Sequence, residues 1–208
     1  IPILPAELEK EIFEMTAYTR PSSIPRLMLV AHRVKIWVEP LLFRVIVLDR
    51  FSKTPTYPMA DDDDFSGIQS LPTSVLRDSV RHLFLHNMPN TVSQFILSAS
   101  SAVEDLWIQT FEVNSFLLPF IGVLPLKRLY CNLKALFADK VQIDFGHSLF
   151  SRLTHLELLD LRATDLYFDL ALIPHLTHLA FNYPVFLDMS LTLLKTCKSL
   201  RVLVLVIS

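Results

Sequence analysis

A chain of 208 residues, 51% hydrophobic and 19% charged with three glycines, can bury the core of one or two domains and is too apolar for a disordered tail. A net charge of −2, with no basic block or stripe, excludes an electrostatic nucleic-acid binder. The most apolar run, residues 116–126, is broken by Pro119 and Pro125 and is far too short to span a bilayer, so a soluble protein without a membrane partner is expected.

The chain opens on Leu4-Pro5-Ala6-Glu7-Leu8, where Pro5 suits a helical first turn and Glu7, Glu9 and Glu11 lie where the helix dipole favours negative charge. Leu8, Ile12, Phe13 and Met15 recur at helical spacing. Arg20-Pro21-Ser22-Ser23 breaks this helix. Ser23 and Pro25 then start a second one, expected to carry Leu27, Leu29, Val30, Val34 and Trp37 until Pro40 interrupts it. Residues 41–48 follow as a nearly continuous apolar tail, read as a last turn leading into a strand. Such a hairpin carries more apolar surface than it can bury alone.

These residues resemble an F-box: the Leu4-Pro5-Ala6-Glu7 start, Ile12-Phe13, Leu27 with Leu29-Val30, then Trp37, Pro40, Leu42 and Phe43-Arg44. The stretch Trp37-Val38-Glu39-Pro40-Leu41-Leu42 is similar to that of F-box-like proteins of mushroom-forming fungi, in which repeats follow. Ala31-His32-Arg33 stands where the family usually carries Cys-Arg before the tryptophan. The resemblance implies that Leu4, Pro5, Leu8, Ile12, Leu27, Val30 and Trp37 contact the Skp-type adaptor protein of a cullin-type ubiquitin ligase. The alternative is that they pack on the first repeat and only cap the open end of the fold, as terminal units must.

Between residues 49 and 79 periodicity fades, and Pro55, Pro58, Gly67 and Pro72 mark a connector. Its acidic run, Asp61-Asp62-Asp63-Asp64, lacks the spaced ligands and turn glycine of a calcium loop and is read as a solvated loop tip.

From Val80 onward one phrase recurs: an aliphatic residue, two variable residues, a leucine, one variable residue and another apolar one. Its central leucines, Leu83, Leu106, Leu129, Leu156, Leu179 and Leu203, stand 23, 23, 27, 23 and 24 residues apart. That phrase and period resemble leucine-rich repeats, here without the asparagine that often follows the strand. An α/β fold is therefore expected, with a helical module over residues 1–48, a linker over 49–79 and about six repeats over 80–208. The repeats would stack as a solenoid with a parallel sheet on its concave side. The chain starts at Ile1 rather than Met and ends at Ser208 directly after a strand-like run. No secretory signal or transit peptide is visible, the start at Ile1 leaves targeting open, and either further residues of a longer chain or another chain is expected to cover the last edge.

Variable positions of neighbouring strands should stand side by side about 4.8 Å apart. One row is Phe84, Trp107, Tyr130, Glu157, Ala180 and Val204; the other is His82, Asp105, Arg128, His155, His178 and Val202. Adjacent exposed aromatics are favoured interaction anchors, so Phe84, Trp107 and Tyr130, with Asp105 and Arg128 beside them, are read as the site for a target protein, against the alternative that a loop folds over the rings. His155 and His178 would present two imidazoles without a third ligand, so no metal is assigned.

No nucleophile elbow, phosphate loop, dinucleotide fingerprint or zinc-binding His-Glu-x-x-His is found, and neither catalysis nor a cofactor is expected. Cys131 falls at a core-facing strand position. With Cys197 it is read as a reduced pair in an intracellular protein, cytoplasmic or nuclear. Taken together, the expectation is a non-catalytic substrate receptor of a ubiquitin ligase. The competing reading is a scaffold with no ligase role.

Overall fold

A computed structural model describes residues 4–50, 66–110, 113–138, 143–159, 169–182 and 187–205. The acidic run Asp61-Asp62-Asp63-Asp64 lies outside them. No helix among the described residues is long and apolar enough to cross a membrane.

The N-terminal helices close around a core of their own. Helix α1 (Ala6–Thr19) starts after Pro5, whose carbonyl accepts from the Glu9 backbone N–H at 3.1 Å. It ends at Arg20, and a 3-10 turn (Pro21–Ser23) leads into the short α2 (Ile24–Leu27). The single helix expected from Ser23 to Trp37 is in fact two. Bonds from Leu29 N–H to Arg26 O and from Val30 N–H to Leu27 O tighten the chain into a turn, Ala31 is extended, and α3 (His32–Leu42) starts afresh. The break lets α3 fold back so that Val34 and Val38 meet Ala17 and Ile24 in one buried cluster, flanked by Phe13, Leu27, Trp37 and Leu42. An unbroken helix would carry Val34 away from α1. Pro40, expected to stop the pattern, sits inside α3 two residues before its end, where the lost N–H costs little continuity. Arg33 clamps α3 to α1 with two bonds to the Glu9 carboxylate, at 2.7 and 3.0 Å.

Beyond the helices the chain builds an open, wholly parallel sheet of seven strands in sequence order: β1 (Val45–Asp49), β2 (His82–His86), β3 (Asp105–Gln109), β4 (Arg128–Cys131), β5 (His155–Leu158), β6 (His178–Phe181) and β7 (Val202–Leu205). The register aligns Ile46, Leu83, Leu106, Leu129, Leu156, Leu179 and Leu203 across the whole sheet. From Ile46 to Leu179 these side chains are almost fully buried, while Leu203 on the edge strand is half-buried. Burying each such side chain contributes about 1.5–3 kcal/mol, which no strand obtains alone.

The six strands read from the repeat are all present. The seventh, β1, extends the sheet into the apolar tail, so the strand-bearing part of the chain begins at Val45. The stretch expected as a connector also contains helices α4 (Ser66–Gln69) and α5 (Thr73–Ser79), which bury Ile68 and Leu76 against the sheet.

Return segments on the buried face include α6 (Asn90–Ala99), α7 (Leu118–Ile121), α8 (Leu133–Leu136) and α9 (Leu187–Thr196). Two asparagines turn the chain out of strands: Asn87 follows β2 with φ of 52°, a conformation its short side chain tolerates, and Asn132 caps α8 by accepting from Ala135 N–H.

Strand entry follows one rule at all six interfaces. The carbonyl two residues before each central aliphatic accepts two backbone N–H groups from the next strand's entry: Arg44 from Arg81 and His82, Arg81 from Glu104 and Asp105, Glu104 from Lys127 and Arg128. Lys127, Thr154 and Thr177 continue the series. Each fork spans 2.7–3.1 Å. It holds neighbouring strands in step before the leucines meet.

Truncating an inner leucine should therefore cost far more than trimming the opposite face. Leu129→Ala is expected to lose about 2–5 kcal/mol by cavity formation, and Val204→Ala to stay within about 0.5 kcal/mol as a surface change, both read by urea denaturation.

Candidate partner-binding surfaces

Two surfaces stand out, and the seven residues predicted to contact an adaptor divide between exposed and packed positions. Leu4, Pro5, Leu8 and Ile12 are exposed, and Met15 extends the line they form at helical spacing along and just before α1. Ile12 remains 49% exposed although Ala17, on the same helix, is 1% exposed. Val30 is exposed in the turn after α2, beside Leu29. Leu27 and Trp37 instead lie half-buried against the module's own core.

The second surface is the sheet face opposite the leucines. Period-two alternation sends every second side chain here, and the common register stacks them into rows. In the middle row Phe84 and Trp107 are parallel to within 10° with centroids 3.8 Å apart; Trp107 and Tyr130 are equally parallel at 4.6 Å. All five residues expected to hold a target, Phe84, Asp105, Trp107, Arg128 and Tyr130, line one groove of about 480 Å³. The three rings are half-buried, covering one another's faces while their edges meet the groove. Asn182 donates to the Tyr130 hydroxyl at 3.3 Å, and burial, together with the Glu157 charge, pushes the phenol pKa up.

The neighbouring row carries polar side chains from β2 to β6, three of which pair with one another. Asp105 accepts from His82 Nδ1 at 2.6 Å, and Arg128 approaches the same carboxylate oxygen at 3.6 Å. A further pair, His86 with Asp49 at 2.8 Å, adds to the lip of the sheet beside Trp107.

His155 and His178 stack face to face, 4.0 Å apart and within 7° of parallel. Their tautomers follow from the repeated Leu-Thr-His-Leu phrase. The Thr154 hydroxyl donates its one proton to Lys127 O, so its oxygen accepts from His155 Nδ1–H at 2.8 Å; Thr177 makes the same bonds to Thr154 O and His178. A ring in its neutral form then keeps its proton on Nδ1 and offers Nε2 as an acceptor. Held alike and stacked in parallel, the two lone pairs run side by side rather than converging on one ion. No group of three or more metal-ligating side chains occurs among the described residues.

Cys131 and Cys197 are both free and buried. Burial pushes the Cys131 thiol far up, so at neutral pH it is no thiolate nucleophile. Glu157, a member of the middle row but not among the residues predicted to bind, also lines the groove. Its signal in the sequence is a single carboxylate in a row otherwise aromatic or aliphatic.

Burial, followed by the charges of His178 and Arg128, lowers the His155 pKa, with Asp105 opposing. A folded state that binds this proton less readily than the unfolded chain loses stability as pH falls below about 6.5, the ordinary histidine value. Melting temperature should thus drop between pH 7.5 and 5.5, and His155→Gln should lessen the drop. Comparison of the chain with family models, curated proteins and solved structures finds no match.

Proposed function

We propose that the chain is a non-catalytic substrate receptor of a cullin-type ubiquitin ligase. In this reading an F-box-like helical module recruits a Skp-type adaptor, and a leucine-rich-repeat solenoid offers its concave sheet face to a target protein. The observation that carries it is the mismatch within the N-terminal module. The module buries Ala17, Ile24, Val34 and Val38 in a core of its own, yet leaves Leu4, Leu8, Ile12 and Met15 in line and in water. An apolar row that its own fold does not need is the pattern of a surface kept for a partner.

The capping role is compatible and uses another side of the module. Helix α3 packs against α5, at the β1 end of the sheet, whereas the exposed row belongs to α1. Target recognition rests on the groove, where three aromatic rings with a paired aspartate and arginine supply the anchors and polar contacts of a protein-binding site. Separating adaptor and target surfaces in this way allows one chain to bridge two proteins without chemistry of its own.

Copurification of the folded chain with a Skp-type adaptor is the direct test. The native chain should retain the adaptor, and Leu8→Glu with Ile12→Glu should abolish retention while leaving the melting temperature within a few degrees, since both positions are about half exposed. A folded native chain that retains no adaptor would leave only the scaffold reading.

A further inference from the structure

The groove is apolar along its middle row except at β5. Phe84, Trp107 and Tyr130 stand on one side of Glu157; Ala180 and Val204 stand on the other. Glu157 is half-buried and has no ion-pair or hydrogen-bond partner among the described residues. The other charges along the groove are matched. Asp105 lies between His82 and Arg128, and His155, its proton affinity lowered, is neutral at neutral pH. Glu157 is thus the one carboxylate of the groove without a compensating charge among the described residues.

Its surroundings leave room for such a charge. Ala180, directly opposite in the register, projects only a methyl group, so the space beside the carboxylate opens into the groove. On the other side Tyr130 is held in place by Trp107 stacking and by the Asn182 bond, and lies near enough for the Glu157 charge to affect its phenol. Burial alone raises the Glu157 pKa, the sign of an anion that gains from a cation brought into contact. A cation here meets a carboxylate and a tyrosine ring together.

We propose that Glu157 anchors the positively charged group of an otherwise apolar ligand segment, a lysine or arginine of the target whose aromatic or aliphatic neighbour lies along Phe84, Trp107 and Tyr130. The inference rests on the reading of this face as the target surface and gives that target its chemistry. The match is one of charge: an unbalanced carboxylate inside an apolar trough selects a segment both basic and apolar, and rejects an acidic one, because a second anion would meet Glu157 in a half-desolvated site.

The test uses the full chain at pH 7 and three small probes of one shape: 2-phenylethylammonium, 2-phenylethanol and 3-phenylpropionate, each titrated while the indole N–H resonance of Trp107 is followed. The ammonium is expected to bind at least about tenfold more tightly than the carboxylate, and Glu157→Gln to reduce that preference to about twofold or less. 2-Phenylethanol should bind the variant and the native chain alike, which also shows that the variant is folded. Equal affinity for cation and anion in the native chain, or a preference that survives Glu157→Gln, overturns the assignment of Glu157. If 2-phenylethanol still binds in either case, the groove stands as a binding surface and only its charge selectivity falls. If none of the three probes moves the Trp107 resonance, the target-surface reading falls with it.

Discussion

Every feature of the sheet depends on one constraint: an aliphatic side chain on a short strand is buried only if the next strand arrives in step with it. The carbonyl forks at Arg44, Arg81, Glu104, Lys127, Thr154 and Thr177 impose that step, each accepting two N–H groups from the following strand. Backbone geometry therefore sets the register, and the row from Ile46 to Leu203 makes it favourable. Neither contribution suffices alone. A fork without the aliphatic row would leave a parallel sheet with a wet core, and the row without the fork could slip by a residue and turn every leucine to solvent.

The same register makes the outer face a set of ladders rather than a scatter of side chains. Because Phe84, Trp107 and Tyr130 occupy equivalent positions on neighbouring strands, stacking their rings requires no adjustment of the backbone. The Thr-His pairs at 154–155 and 177–178 show the same economy. Each threonine bonds back to the previous strand's entry carbonyl while fixing the tautomer of the histidine beside it. A groove with stacked rings and a matched aspartate and arginine has little side-chain freedom left to lose. The N-terminal helices divide labour differently: Leu27 and Trp37 hold the module together, and the α1 row faces outward.

Much of this is legible in the residue string because the repeat is a spacing rule. Six central leucines 23 to 27 residues apart place six strands, their register and both rows of outward side chains. Strand β1 escapes the rule since Ile46 replaces leucine and lies 37 residues before Leu83. The break between α2 and α3 is hidden for a different reason. Leu27, Val30, Val34 and Trp37 fit one helical stripe, and only the need to bring Val34 back to Ala17 and Ile24 splits it. Helices α4 and α5 are too short for their periodicity to register between turn residues. Glu157 is visible as a letter in a row, but its isolation becomes evident only when Asp105, Arg128 and His82 are seen to satisfy one another.

The most direct test of the stacked register is nuclear magnetic resonance of the isotopically labelled chain, read for cross-strand backbone contacts. The account predicts an unbroken series of parallel-type contacts linking Ile46 to Leu83, Leu106, Leu129, Leu156, Leu179 and Leu203 in that order. Antiparallel contacts between any of these strands, or a one-residue offset that pairs Leu106 with Tyr130 in place of Leu129, would contradict it.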